Sequence, residues 1–154
     1  MTKTTPQLVL LRLAYHDRVF DWLDQSDDAQ SYRTHKMLEV QLPDEYRLVV
    51  YRDSDMAIHN GWLFINPWFE FDGASGPAVD GVSNLLASLI HDALGRAKLR
   101  GCVGYSYRKT HRVYRDRMLI EGASKLRAYT HWILLVVGNP WYRLWCRIIG
   151  KGGA

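Results

Sequence analysis

Residues 79–99, VDGVSNLLASLIHDALGRAKL, decide how the chain folds. Val82, Leu85, Leu86, Leu89, Ile90 and Ala93 recur at the three- and four-residue spacing of one helix face. Gly101 stands where such a helix would stop. Upstream the character is different. HKMLEVQL (35–42), YRLVVYRD (46–53) and GWLFINPWFEF (61–71) are short apolar and aromatic runs that read as strands. The first two are separated only by PDE (43–45), which predicts a hairpin, and Pro67 inside the third predicts an edge strand or a bulge. Downstream, YRKTHRVYRDRMLIEG (107–122) reads as a second helix, capped by Thr110 and stopped by Gly122. ASKLRAYTHWILLVVG (123–138) reads as a third helix closed by GNP, with WYRLWCRII (141–149) as a short fourth.

Strands first and helices afterwards predict an α+β protein: an N-terminal antiparallel hairpin or small sheet, then three to four helices. The chain of 154 residues is read as a single domain, 1–154, long enough to bury a core. Its strand region is 37–72 and its helical region 77–150. The N-terminal element, 1–36, stays open: QLVLLRLAYHDRVFDWL (7–23) fits a strand turning into a helix or one amphipathic helix, and DQSDDAQS (24–31) reads as a polar loop.

Hydrophobic residues at 47% and charged residues at 23% match an ordinary globular protein. Cys102 and Cys146 are too few for a disulfide framework. The start, MTKTTPQ, has no apolar core of the signal-peptide kind. AYTHWILLVVGNPWY (128–142) is uncharged yet shorter than the roughly 20 residues a spanning helix needs. A buried helix or an interfacial segment fits it better. Trp132, Trp141 and Trp145 with Arg143 and Arg147 form an aromatic-basic mixture suited to a headgroup layer or a partner surface. Charge is divided unevenly. Residues 1–95 hold seven basic and fourteen acidic side chains, net −7; residues 96–154 hold thirteen basic and two acidic, net +11. Such a split serves attraction between the halves, or a basic face towards nucleic acid or anionic lipid.

Ser75, in GASGP, misses the G-x-S-x-G elbow, and no phosphate-binding or dinucleotide glycine loop occurs. The residues that gather chemistry are Asp72, in the Gly-rich turn FDGASGP (71–77), and His91 and Asp92 on the predicted helix. Neighbours on a helix diverge by about 100°, so His91 and Asp92 are not expected to pair with each other. They share a site only if each faces a different group. Gly73 lets the turn present carbonyls beside Asp72 and Asp92, the donors that Ca²⁺ or another divalent cation takes. His111 is placed to join from the next helix. A helix boundary histidine, or an Asp92–Arg96 pair at i,i+4, accounts for the same residues without chemistry. YSYRKTHRVYRDR (105–117) interleaves tyrosines with arginines, as a phosphate-gripping face or as a solvated one.

The turn FDGASGP, the helix with LIHDAL and the following YRKTHRVYRDRMLIEGASKLRAYTHW together resemble a phage and prophage family of unknown function. That family has a D-x-A-S-x-P turn, an H-D-x-L helix and a K-x-A-D-x-x-F-x-x-x-M helix. The resemblance spans about residues 45–145, with Asp72, Ala74, Ser75, His91, Asp92, Leu94, Tyr114 and Met118 on its motifs. Pro77 is displaced by one, Gly95 replaces an aromatic residue and His111 replaces an aspartate. More distantly, the turn and helix are similar to the calcium loop and H-D helix of secreted phospholipases A2, whose cysteines are missing here. The resemblances imply a phage-derived protein with a His/Asp site, a metal-assisted esterase or phospholipase-like hydrolase working near a membrane or cell envelope. In that reading His91 and Asp92 are catalytic, Asp72 and Asp92 hold the metal, and Gly73, Ser75, His111 and Tyr114 support them. The alternative is a non-enzymatic virion, assembly or host-interaction protein; nucleic-acid binding through the basic helical face is third. The expected location is the host bacterial cytoplasm or the virion, with peripheral membrane association and a phage or host protein as partner.

Overall fold

The computed structural model describes residues 23–25, 32–72 and 82–148, with side chains over 32–72 and 84–138. In chain order the elements are β1 (Leu23–Gln25), β2 (Tyr32–Thr34), β3 (Leu38–Gln41), β4 (Tyr51–Arg52), β5 (Met56–His59), β6 (Trp62–Ile65) and β7 (Glu70–Phe71), followed by α1 (Val82–Leu99), α2 (Tyr107–Ile120) and α3 (Lys125–Ile148). Antiparallel strands precede three helices, an α+β layout. Two sheets form, one ordered β1-β2-β7 and one β3-β6-β5-β4.

The hairpin predicted across PDE does not form. Those residues lead into a 3-10 turn at Asp44–Tyr46, and β3 pairs instead with β6, Leu38 opposite Ile65. The tight hairpin is β5-β6, turned by Asn60 (φ 51°) and Gly61 (φ 78°), which closes His59 against Trp62. Positive φ at both turn residues is the form whose twist suits a two-residue hairpin. The third predicted strand is also broken: after β6 the chain turns at Pro67 and Trp68, and β7 joins the other sheet. The stretch read as a polar loop contributes Asp24 and Gln25 to β1, where antiparallel pairing with β2 overrides their polarity. One residue joins the sheets. Thr34, fully buried, accepts from the Phe69 amide through Oγ1 at 3.1 Å and donates to the Asn66 carbonyl at 3.1 Å. Its own backbone bonds Trp68 and Phe69.

Val40, Met56, Ile58, Leu63 and Ile65 point to one side of the larger sheet and meet Leu85, Leu86, Leu89, Ile90 and Leu94 of α1 in one apolar core. Residues Asn84–Ile90 are buried on every side, because Ala87 on the opposite face of α1 packs with Tyr114, Met118 and Ala128 of the outer helices. The small Ala87 side chain leaves room for that approach. The order of packing is therefore sheet, α1, α2, α3.

α1 and α2 stop in the same way. Gly101 (φ 95°) and Gly122 (φ 87°) take the left-handed conformation. The next amide in each case bonds back to the helix, Cys102 N–H to Ala97 O and Ala123 N–H to Met118 O, both at 2.9 Å. This six-residue closure, with glycine at its left-handed position, satisfies carbonyls that a helix end would leave bare. The start of α2 is capped by Ser106, which accepts from Lys109 N–H; Thr110, the expected cap, lies one turn inside and donates to Ser106 O. α3 does not end at GNP. It runs through Gly138, Asn139 and Pro140 to Ile148, so the expected fourth helix is its continuation. A proline inside a helix removes a backbone donor and crowds the preceding turn, yet the helical span continues past it.

Opposite charges from the two halves of the chain meet at the sheet-helix joint. Arg100 donates to Asp53 at 2.6 Å and to Asp55 at 2.9 Å, Arg96 lies 3.7 Å from Asp55, and Lys109 lies 3.6 Å from Glu45. Burial alone would raise the Asp53 pKa. Bonds from Tyr51, Arg100 and the amides of Met56 and Asp55 outweigh it and hold the carboxyl at about 2.

Candidate functional site

His91 emerges from α1 at the border between its buried core turn and its solvent end, with 17% of its side chain exposed. Its Nε2 lies 2.9 Å from Nδ1 of His111 on α2, the two rings stacked with centroids 5.1 Å apart. Its Nδ1 lies 3.3 Å from Oδ1 of Asp92. The expectation that neighbouring helical residues would not meet is corrected here: the side chains swing towards each other across the 100° between their positions, at the cost of a long contact. The other Asp92 oxygen accepts the Asp72 backbone N–H at 3.3 Å. Asp72 therefore does return to this end of the helix, through its amide. Arg96, offered above as a partner for Asp92, turns to Asp55 and donates to the Glu70 carbonyl at 2.6 Å.

An ionised carboxylate only accepts, so His91 Nδ1 is the donor to Asp92. Between His91 Nε2 and His111 Nδ1 there is room for one proton. In the neutral arrangement His91 Nε2 is bare and His111 Nδ1–H donates into it. The line Asp92–His91–His111 is thus a directed hydrogen-bond chain that crosses from α1 to α2. Tyr114 closes over it, its ring edge-on to His91 at 5.6 Å. The Tyr114 hydroxyl lies 3.0 Å from Nδ1 of His131 on α3. Burial, with the Arg127 charge nearby, lowers the His131 pKa below its ordinary value. These side chains form a polar seam that runs through all three helices.

The sequence pointed to His91, Asp92, His111 and Tyr114, and the structure brings the four together. His131 was missed, and nothing in the sequence marks it: its meeting with Tyr114 depends on how α3 lies against α2. Gly73 and Ser75 lie outside the described residues. Among the described residues no group of three or more His, Cys, Asp or Glu is arranged to hold a metal ion. Both Asp92 oxygens already face N–H groups, an arrangement that fits an acceptor in a hydrogen-bond chain better than a ligand of a hard cation.

The stretch 105–117 is divided: Arg108 and Arg112 are exposed, while much of the rest turns inwards. Tyr105 is buried and donates to Leu94 O at 2.6 Å, Tyr114 and Arg117 are buried, and Arg115 pairs with Asp116. Arg117 bonds Glu121, itself almost fully covered. Trp132, expected on an outer surface, is half-buried; the Arg115 guanidinium lies over its ring at 5.3 Å and over Tyr129 at 5.0 Å. The side chains of Trp141, Trp145, Arg143 and Arg147 lie outside the described residues, though α3 carries all four positions. The outer row of α3 is made by Leu126, Ile133, Leu134 and Val137. No helix among the described residues is long and apolar enough to cross a membrane. Comparison of the chain with family models, curated proteins and solved structures finds no match.

Proposed function

We propose that this chain is a non-enzymatic interaction protein, of the virion, assembly or host-interaction kind that its phage-family resemblance implies. One observation supports this reading above the others: both ring nitrogens of His91 are engaged inside the protein, Nε2 by His111 and Nδ1 by Asp92. A histidine that deprotonates water needs a bare nitrogen facing substrate. His91 instead spends both on neighbours, and the Tyr114 ring lies against it. The His-Asp pair then acts as a weld between α1 and α2, and the Gly-rich turn before it as the corner where the strands hand over to the helices.

Thermal unfolding of wild type, His91→Ala and Asp92→Asn, each with and without millimolar Ca²⁺ or Mg²⁺, tests this. His91→Ala is expected to cost about 1–3 kcal/mol, because it removes the His91 hydrogen bonds to His111 and Asp92 in a largely buried place. Cations are expected to leave every midpoint where it was. A folded His91→Ala of wild-type stability would remove the weld. A Ca²⁺-dependent stabilisation that Asp92→Asn abolishes would restore the metal-assisted hydrolase, since a ligand raises stability only by binding the folded state.

A further inference from the structure

α3 is a 24-residue helix, about 36 Å long at 1.5 Å per residue, and only one side of it packs on α2. That inner side carries Ala128 and Leu135, in the apolar cluster with Tyr114 and Met118. The outer side is apolar as well: Leu126 is 81% exposed, Ile133 51% and Val137 54%. A step of about 100° per residue puts these three within roughly 40° of one line along the helix, and puts positions 141, 144 and 148, a tryptophan, a leucine and an isoleucine, beside the same line. Lys125 and positions 143 and 147, both arginines, fall along one edge of the row, with Arg127 along the other. From Gly122 to Ala154 the chain has five basic residues and no acidic one.

We propose that this face of α3 docks, lying flat, on an anionic lipid surface. The inference rests on reading the chain as an interaction protein, and it names the partner. An apolar row edged by basic side chains, on a helix that packs its other side against protein, is the form that seats in a headgroup layer. The aliphatic stems of the edge residues cover apolar surface while their charges meet lipid phosphates. The alternatives fit less well. A second copy of α3 would bring four basic residues against four with no acid between them, and a nucleic-acid backbone offers nothing apolar to Ile133 and Val137.

The test is flotation of the full chain with phosphatidylcholine vesicles, with and without phosphatidylglycerol, for wild type and the double variant Ile133→Glu/Val137→Glu. Both positions are exposed, so the variant is expected to keep the wild-type unfolding midpoint. Wild type should float with the anionic vesicles, bind neutral ones roughly tenfold more weakly or worse, and be released by salt. The double variant should lose binding by about tenfold or more. Wild type that stays off anionic vesicles, or a folded double variant that still binds them, overturns the proposal. A concentration-dependent dimer that the double variant abolishes, with no vesicle binding, assigns the face to a second copy and also overturns it. The His91→Ala unfolding result is read without vesicles, so failure of the lipid partner and failure of the weld are seen separately.

Discussion

α1 and α3 are both rich in apolar residues, yet they stand in opposite situations. α1 is enclosed, with a sheet on one side and α2 and α3 on the other, so that even its polar Asn84 and Ser88 are buried. α3 is the last layer, and its apolar Leu126, Ile133, Leu134 and Val137 stand exposed. The difference teaches that apolar content alone does not place a helix in a core. Placement depends on how many layers remain to cover it, and a helix that is apolar on two sides at the edge of the stack is left with a surface to offer.

The largest effect is expected from the layer between them. Glu121→Ala leaves the Arg117 guanidinium buried without its carboxylate, with Nε and Nη1 already lacking partners among the described residues. Urea unfolding should show a loss of about 3–5 kcal/mol. A loss below about 1 kcal/mol would mean that water reaches the guanidinium. Next comes the direct contrast. Leu89→Ala in α1, where the side chain is fully buried, should cost about 2–5 kcal/mol by the same measurement. Ile133→Ala in α3 should stay within about 0.5 kcal/mol, and a larger cost would show that its face is covered after all.

The last effect is conditional on pH. The Asp53 carboxyl sits at about 2 in the folded protein against 3.8 ordinarily. A group whose pKa folding depresses stabilises the fold above its unfolded value and loses that contribution as pH falls through the folded one. Urea midpoints measured between about pH 5 and pH 2 should therefore fall more steeply in wild type than in Asp53→Asn. Parallel curves would mean that the Arg100 clasp contributes nothing to holding α1 on the sheet.

How far these features could be read in advance differs between the helices and the strands. The body of α1 and the glycines that stop α1 and α2 were legible, because helix periodicity and left-handed stops are local properties of the chain. The pairing of β3 with β6 was not. PDE looks like a turn because it is short and polar, whereas the residues able to turn a two-residue hairpin are Asn60 and Gly61, at the threshold of the run that reads as the third strand. Strand pairing is settled by residues distant in sequence, and a local turn signal competes poorly with a better one further on. In the site, His91, Asp92 and His111 stood out by residue type and helical placement. Their mutual contact did not, since it required Asp92 to lean back along its own helix. The continuity of α3 through Pro140 was likewise hidden, because proline marks a break only when the rest of the helix fails to hold it.

Thr34 carries a consequence for how the strands come apart. Four hydrogen bonds tie this one residue to the bend 66–69, which links the last strand of one sheet to the last of the other. Peeling the small sheet away would bare the buried Phe69 amide and the Thr34 hydroxyl together with the half-buried Asn66 carbonyl. The three-stranded sheet, too small to persist alone, therefore borrows the cooperativity of its four-stranded neighbour. Amide protons at this bend should exchange on the timescale of global unfolding and not on that of a fraying edge.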